Sequence, residues 1–296
     1  MRLLTTTALL GALIGTPALA TDITVTDFVG KITIVEGTDG LTVIRNGKGD
    51  LQYSQNGDSI EIDGGTTRRE RGETCNVPGG NWNISIGGWS SSGETRLKEY
   101  PELEISVAAG SSLTIRDSYP WLEASVDLGA ADLEVGGCYD VILADTASLR
   151  VEKSGSGDIE AGSTGPTQIE KSGSGDVEID ATQSFSLEQS GSGDIDIDDV
   201  SGPVTIEKSG SGDVEIERLS GSFSVEKSGS GDVEVDNGEV PELMIRNSGS
   251  GDVNVHAAIG NADIRASGSG DVYVKSISGS LTKEISGSAD FNRGDD

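Results

Sequence analysis

Carboxylates recur along the second half of this chain at a spacing that could hold a hard cation. Glu178/Asp180, Asp196/Asp198, Glu215/Glu217 and Glu234/Asp236 form successive pairs. Stacked one above the next, they could approach the six to eight oxygens that Ca²⁺ prefers. A second array, Asp158, Asp176, Asp194, Asp213, Asp232, Asp252 and Asp271, closes a recurring SGSGD motif, where Asp and Ser side chains can satisfy turn amides. Acidic pairs can also work as general acid and base. Catalysis, however, needs one constellation unlike its surroundings, and these acids recur with no privileged member. The single histidine, His256, takes a place that holds Asp180, Asp198, Glu217 and Asp236 in other copies, so a nucleophilic triad and a zinc cluster both lack parts. No P-loop is present, and the SGSGD glycines do not open a helix as a dinucleotide-binding turn must. The chain therefore reads as non-enzymatic and without a catalytic cofactor. A calcium-binding structural solenoid is the alternative, and a polysaccharide-degrading enzyme is less favoured.

The elements that must position these side chains follow from the repeat. Aspartates of the motif, ending at Asp290, are separated by 18, 18, 19, 19, 20, 19 and 19 residues, a period suited to the coil of a β-solenoid. One and three residues after each Asp stand apolar pairs such as Val177/Ile179, Ile195/Ile197 and Val214/Ile216, with polar residues between. Nine and seven residues before it stand pairs such as Phe185/Leu187, Val204/Ile206 and Phe223/Val225. This is strand alternation, one face inward and one face outward. Burying four such side chains contributes roughly 6 to 12 kcal/mol, whereas ordering the backbone of one coil costs on the order of 20 to 40 kcal/mol. One coil cannot fold alone, so the coils must stack. The SGSG segment is expected to be the corner, with glycines at positive φ. Aligned aspartates ~4.8 Å apart would repel by ~1 kcal/mol per pair in water. Turn amides and a nearby column of Lys153, Lys171, Lys208 and Lys227 are expected to offset this. A ninth coil is expected at Asp140, and Phe291 and Arg293 are expected to plug the final one.

Composition supports order and narrows the partners. Of 296 residues, 50 are Asp or Glu against 21 Lys or Arg, a formal charge of −29. Such a polyanion repels nucleic acid, whose binding relies on cationic side chains. Residues 1–20, with Arg2, an apolar run and Ala18-Leu19-Ala20, read as a cleaved secretory signal peptide. No segment is long and apolar enough to span a membrane as a helix. The expected location is the periplasm, cell surface or exterior, where Cys75 and Cys138 are expected to pair as a structural disulfide. Two unconnected thiols or a metal site are the other readings. Residues 21–296 read as one elongated domain, irregular over 21–130 and regular over 131–296. Within it, residues 64–100 read as a loop or insertion, holding Trp82, Trp89, Arg68, Arg69 and Arg71.

The exported start, the early strand TDFVGKITIVEG, the proline-led Pro101-Glu102-Leu103-Glu104-Ile105 and the tandem GSGD-[IV]-x-[IV] coils together resemble the head GIN domain family of auto-transporter adhesins. The likeness covers about residues 22–293. It implies an all-β, right-handed parallel β-helix of about 19 residues per coil and an adhesin-like envelope or cell-surface role toward a glycan or protein partner. Nothing after the repeats resembles the membrane β-barrel of a complete auto-transporter.

Overall fold

In a computed structural model, residues 20–75 and 97–294 are described. The protein is a parallel β-solenoid of about ten turns, with coils about 19 residues apart. Each wall of the solenoid is a ladder of in-register neighbours. On one wall Ile159, Val177, Ile195, Val214, Val233, Val253 and Val272 stack in turn, all buried. On a second wall Leu149, Thr167, Phe185, Val204, Phe223, Leu243 and Ala262 do the same. A third inward row runs through Thr146, Thr164, Thr182, Val200 and Leu219. Two of its threonines hydrogen-bond to Thr167 of the second wall, Thr164 at 2.7 Å and Thr182 at 3.0 Å, which satisfies those hydroxyls inside the core.

The irregular N-terminal portion belongs to the same stack. Ile23, Val25, Ile32 and Ile34 occupy the two walls, placed by pairing of Asp22–Thr26 and Val29–Glu36 with the long strand Ser111–Ala124. That strand pairs onward with Leu128–Val135 and Val141–Leu143, so the coil at Asp140 is present. Above lie Ser59–Asp63 and Glu102–Val107, in parallel. Two antiparallel strands, Gln52–Asn56 and Gly40–Arg45, then close this end. Reversal of strand direction ends the solenoid, because an antiparallel edge does not offer the next coil a matching ladder. At the other end Phe291 and Arg293 stack on Val272 and Val274, at the inward positions anticipated for a plug.

One expectation is refined and one corrected. The segment 64–100, expected as a loop or insertion, contains a helix, Arg68–Thr74, with a complete capping box: Thr67 accepts from the Glu70 amide and Glu70 accepts from the Thr67 amide. The corner glycines, moreover, are not there for positive φ. Within the SGSGD repeats only Gly155 (φ 111°) adopts it, as does Gly287 (φ 77°) in the last variant. The others are required by approach. A Cβ on Gly173, Gly191, Gly210, Gly229, Gly249 or Gly268 would run into the carbonyl oxygen of the equivalent glycine one coil before. Backbone lies directly on backbone at this corner, and only hydrogen fits between.

Candidate functional site

Glu-Lys-Ser leads into four of the corners and Glu188-Gln189-Ser190 into another, and together they build a concavity on the molecule's surface. Strand alternation sends Glu outward, Lys inward and Ser outward. Parallel register then makes each a row: Glu134, Glu152, Glu170, Glu188, Glu207 and Glu226 stand in one column. The serines follow one residue past the lysines, held by amide donation from Ser172 to the Lys153 carbonyl at 2.9 Å and from Ser190 to the Lys171 carbonyl at 2.9 Å, and so on upward. Between the rows runs a groove of about 790 Å³, from Arg68 and Tyr119 at one end to Ser248 at the other. Arg150 neutralises part of the acidic wall, reaching Glu152 at 2.5 Å and Glu170 at 3.1 Å.

Beneath the groove lies a row that the sequence reading placed only as nearby counter-charge. Lys153, Lys171, Gln189, Lys208, Lys227 and Asn247 stack in register and are at most 5% exposed. None of the four lysines pairs with a motif aspartate within ion-pair distance among the described residues. Three of the ammonium groups turn to corner carbonyls instead: Lys171 donates to Gly193 O at 2.7 Å, Lys208 to Gly210 O at 3.2 Å, and Lys227 to Gly251 O at 2.6 Å. Burial, joined by repulsion from a neighbouring lysine, lowers Lys171 and Lys227 to about 8, and burial also lowers Lys153 and Lys208. The amides Gln189 and Asn247 interrupt the column, so no more than two ammonium groups adjoin. Parity could have revealed this row: the lysines stand two residues after Val151, Ile169, Ile206 and Val225 and therefore share their inward face.

The motif aspartates form a ladder of their own. Each carboxylate accepts the backbone N–H of the next motif aspartate, Asp158 from Asp176 at 2.8 Å, Asp176 from Asp194 at 2.8 Å, Asp194 from Asp213 at 2.7 Å, Asp213 from Asp232 at 2.7 Å. The series continues through Asp252 and Asp271 to Asp290. These charge-assisted bonds hold like charges in line. Burial raises the pKa of Asp158, against the Asp176 amide that lowers it.

The paired acids take the opposite side of the corner. Glu160, Glu178, Asp196, Glu215 and Glu234 stand in one column, while Asp180, Asp198, Glu217 and Asp236 lie exposed two residues on. Partial burial, then Glu215, pushes Asp196 up to about 6, and burial raises Glu160 and Glu234. Among the described residues no group of three or more His, Cys, Asp or Glu side chains converges as a metal ion would need. His256 sits over this column, 3.4 Å from Glu234 and against the Tyr273 ring at 4.9 Å.

Cys75 and Cys138 are joined in a disulfide, Cα to Cα 5.7 Å. It ties the short helix to the corner Gly136-Gly137-Cys138-Tyr139, which replaces SGSG at the head of the groove. Arg71 from the helix is buried and spent on structure, reaching Asp27 at 2.5 Å, Asp117 at 3.7 Å and the Thr66 carbonyl at 2.6 Å. Arg69 pairs with Glu73 at 2.9 Å in solvent, and Arg68 borders the groove. Trp82, Trp89 and residues 1–19 of the expected signal peptide lie outside the described residues. Among the described residues no helix is long and apolar enough to cross a membrane.

No curated protein and no solved structure matches this chain. A family profile described as "Putative auto-transporter adhesin, head GIN domain" matches residues 76–216 and 186–293. The matched stretches span the stacked coils and most of the molecule, and the chain belongs to the head GIN domain family.

Proposed function

We propose that the protein is an exported, non-enzymatic, adhesin-like interaction module whose contact surface is the groove along the Glu-Lys-Ser rows, and that the groove takes a linear, hydroxyl-rich glycan. The observation that carries this reading is the groove itself, about 790 Å³ and continuous over successive coils. It offers one row of carboxylate acceptors and one row of hydroxyls that both donate and accept. A ligand with repeating hydroxyl groups can meet those rows coil after coil, and many weak contacts along a rigid scaffold add without further ordering cost. The family's adhesin name supports a surface role, and the repetition of the acids supports binding over turnover.

The test compares two faces. Glu188→Lys with Glu207→Lys alters the groove wall, and Glu215→Lys with Glu234→Lys alters the other acidic column by the same charge. Binding to neutral linear oligosaccharides should fall at least tenfold in the first double variant and hold in the second. An equal response in both would remove the groove from the function. Cell fractionation with surface protease accessibility tests the location; a cytoplasmic protein would contradict it.

A further inference from the structure

The groove is uniform along most of its length and differs at its head. There Lys153 is 5% exposed and its Nζ has no hydrogen-bond partner, while Lys171, Lys208 and Lys227 each donate to a glycine carbonyl. Its ammonium lies against Gly175 of the following corner, as that of Lys171 lies against Gly193, yet bonds no carbonyl there. Coil by coil the corner is SGSG, but below Lys153 it is Gly136-Gly137-Cys138-Tyr139, with Gly137 at φ 91° and Gly155 at φ 111°, and the row beneath continues as Val135. An unpartnered buried ammonium is costly unless something satisfies it. A hollow of about 10 Å³, bordered by Lys153, Gly136, Tyr139 and Asp158, has room for one water-sized group. Lys153 also lines the groove, as does Arg68 from the disulfide-tied helix, which has no ion pair among the described residues.

We infer that the head of the groove is a carboxylate subsite, formed by Lys153 and Arg68, that takes the acid group of a uronic acid-type sugar at one end of the glycan. The inference rests on the glycan reading above. Carboxylate fits better than phosphate or sulfate ester chains because Glu134 and Glu152 flank the same space and repel higher or repeated negative charge. Farther along, the acidic wall admits only neutral sugars, so the specificity is for a single acid at a defined end.

The experiment is calorimetric titration of the full chain with a neutral linear glucose oligosaccharide and with its counterpart ending in glucuronic acid. The acid-bearing ligand should bind at least tenfold more tightly. Lys153→Met and Arg68→Ala should each reduce that preference, Lys153→Met abolishing it. Lys208→Met, an equivalent row position with a carbonyl partner, should preserve it; melting curves check that all variants fold. Equal affinity for the two ligands, or a preference that survives Lys153→Met, overturns the subsite and leaves the groove reading intact. Binding of neither ligand overturns both.

Discussion

The regular coils beyond residue 149 and the portion before residue 135 share one hydrophobic stack but are held in different ways. In the regular coils the main contacts repeat from one coil to the next: carboxylate to amide, lysine to glycine carbonyl, glycine over glycine. In the earlier portion each contact occurs once. A disulfide spans 63 residues of sequence, a buried arginine joins Asp27 and Asp117, a capped helix covers the corner, and antiparallel strands close the end. Repetition makes a rod that is strong and chemically even. The break in repetition is where one lysine loses its partner and one arginine is brought to the groove, and so where distinct chemistry becomes available.

The largest expected effect bears on the boundary between these regions. Replacing Cys75 and Cys138 by Ser should cost about 4 kcal/mol on the chain-entropy account of a loop this long. Hydrogen exchange should rise over 68–74 and 136–139 and stay low in the coils 185–274. Loss of protection through every coil would show that the two regions unfold as one unit. Next is pH. Lys171 and Lys227 sit near 8 in the folded protein against 10.5 ordinarily. Between those values the unfolded chain binds more protons, so stability should rise with pH through that window, by up to about 3 kcal/mol per lysine. Below pH 8 both states are protonated and the gain is absent. Denaturant midpoints should climb from pH 8 to 10 in the native protein and climb less when both lysines are changed to Met; a native midpoint that does not climb refutes the buried column.

Gly210→Val should destabilise by about 3 kcal/mol, because its Cβ meets the Gly191 carbonyl. Gly72→Ala, in the helix with open space around it, should stabilise by about 0.5–1 kcal/mol. Similar shifts in the two would mean that backbone contact at the corner is looser than described. Smallest among the losses, Asp213→Ala should cost about 1–2 kcal/mol by leaving the Asp232 amide without its acceptor, and Asp213→Asn should recover most of it. Urea midpoints measure both, and a neutral Asp213→Ala would detach the aspartate ladder from stability.

The coils were legible because β-branched residues fall at fixed offsets from each Asp, and burial of Val177, Ile195 and Val214 follows from alternation alone. The lysine column was legible as a column, but its burial was missed although it shared that alternation, since lysine belongs to the surface unless a partner takes its charge. The corner carbonyls that do so have no residue signature. The helix carried a readable capping box at Thr67 and Glu70, masked by the glycine-rich surroundings. The reason for the glycines could not be read either: a turn and a close approach call for the same residue, and only the position of the neighbouring coil separates them. Likewise Glu188 and Ser190 are ordinary polar residues in sequence, and the groove between them exists only once coils align.

Glycine facing glycine has a consequence for how such a molecule can change over generations. A single corner cannot take a side chain unless the coil beside it yields, so stepwise substitution there is blocked. Insertion or loss of an entire turn, by contrast, brings matched surfaces together and keeps the cross-section of the channel above the lysines. Length is thus the free variable of this architecture, and reach can be adjusted while what it grips stays constant.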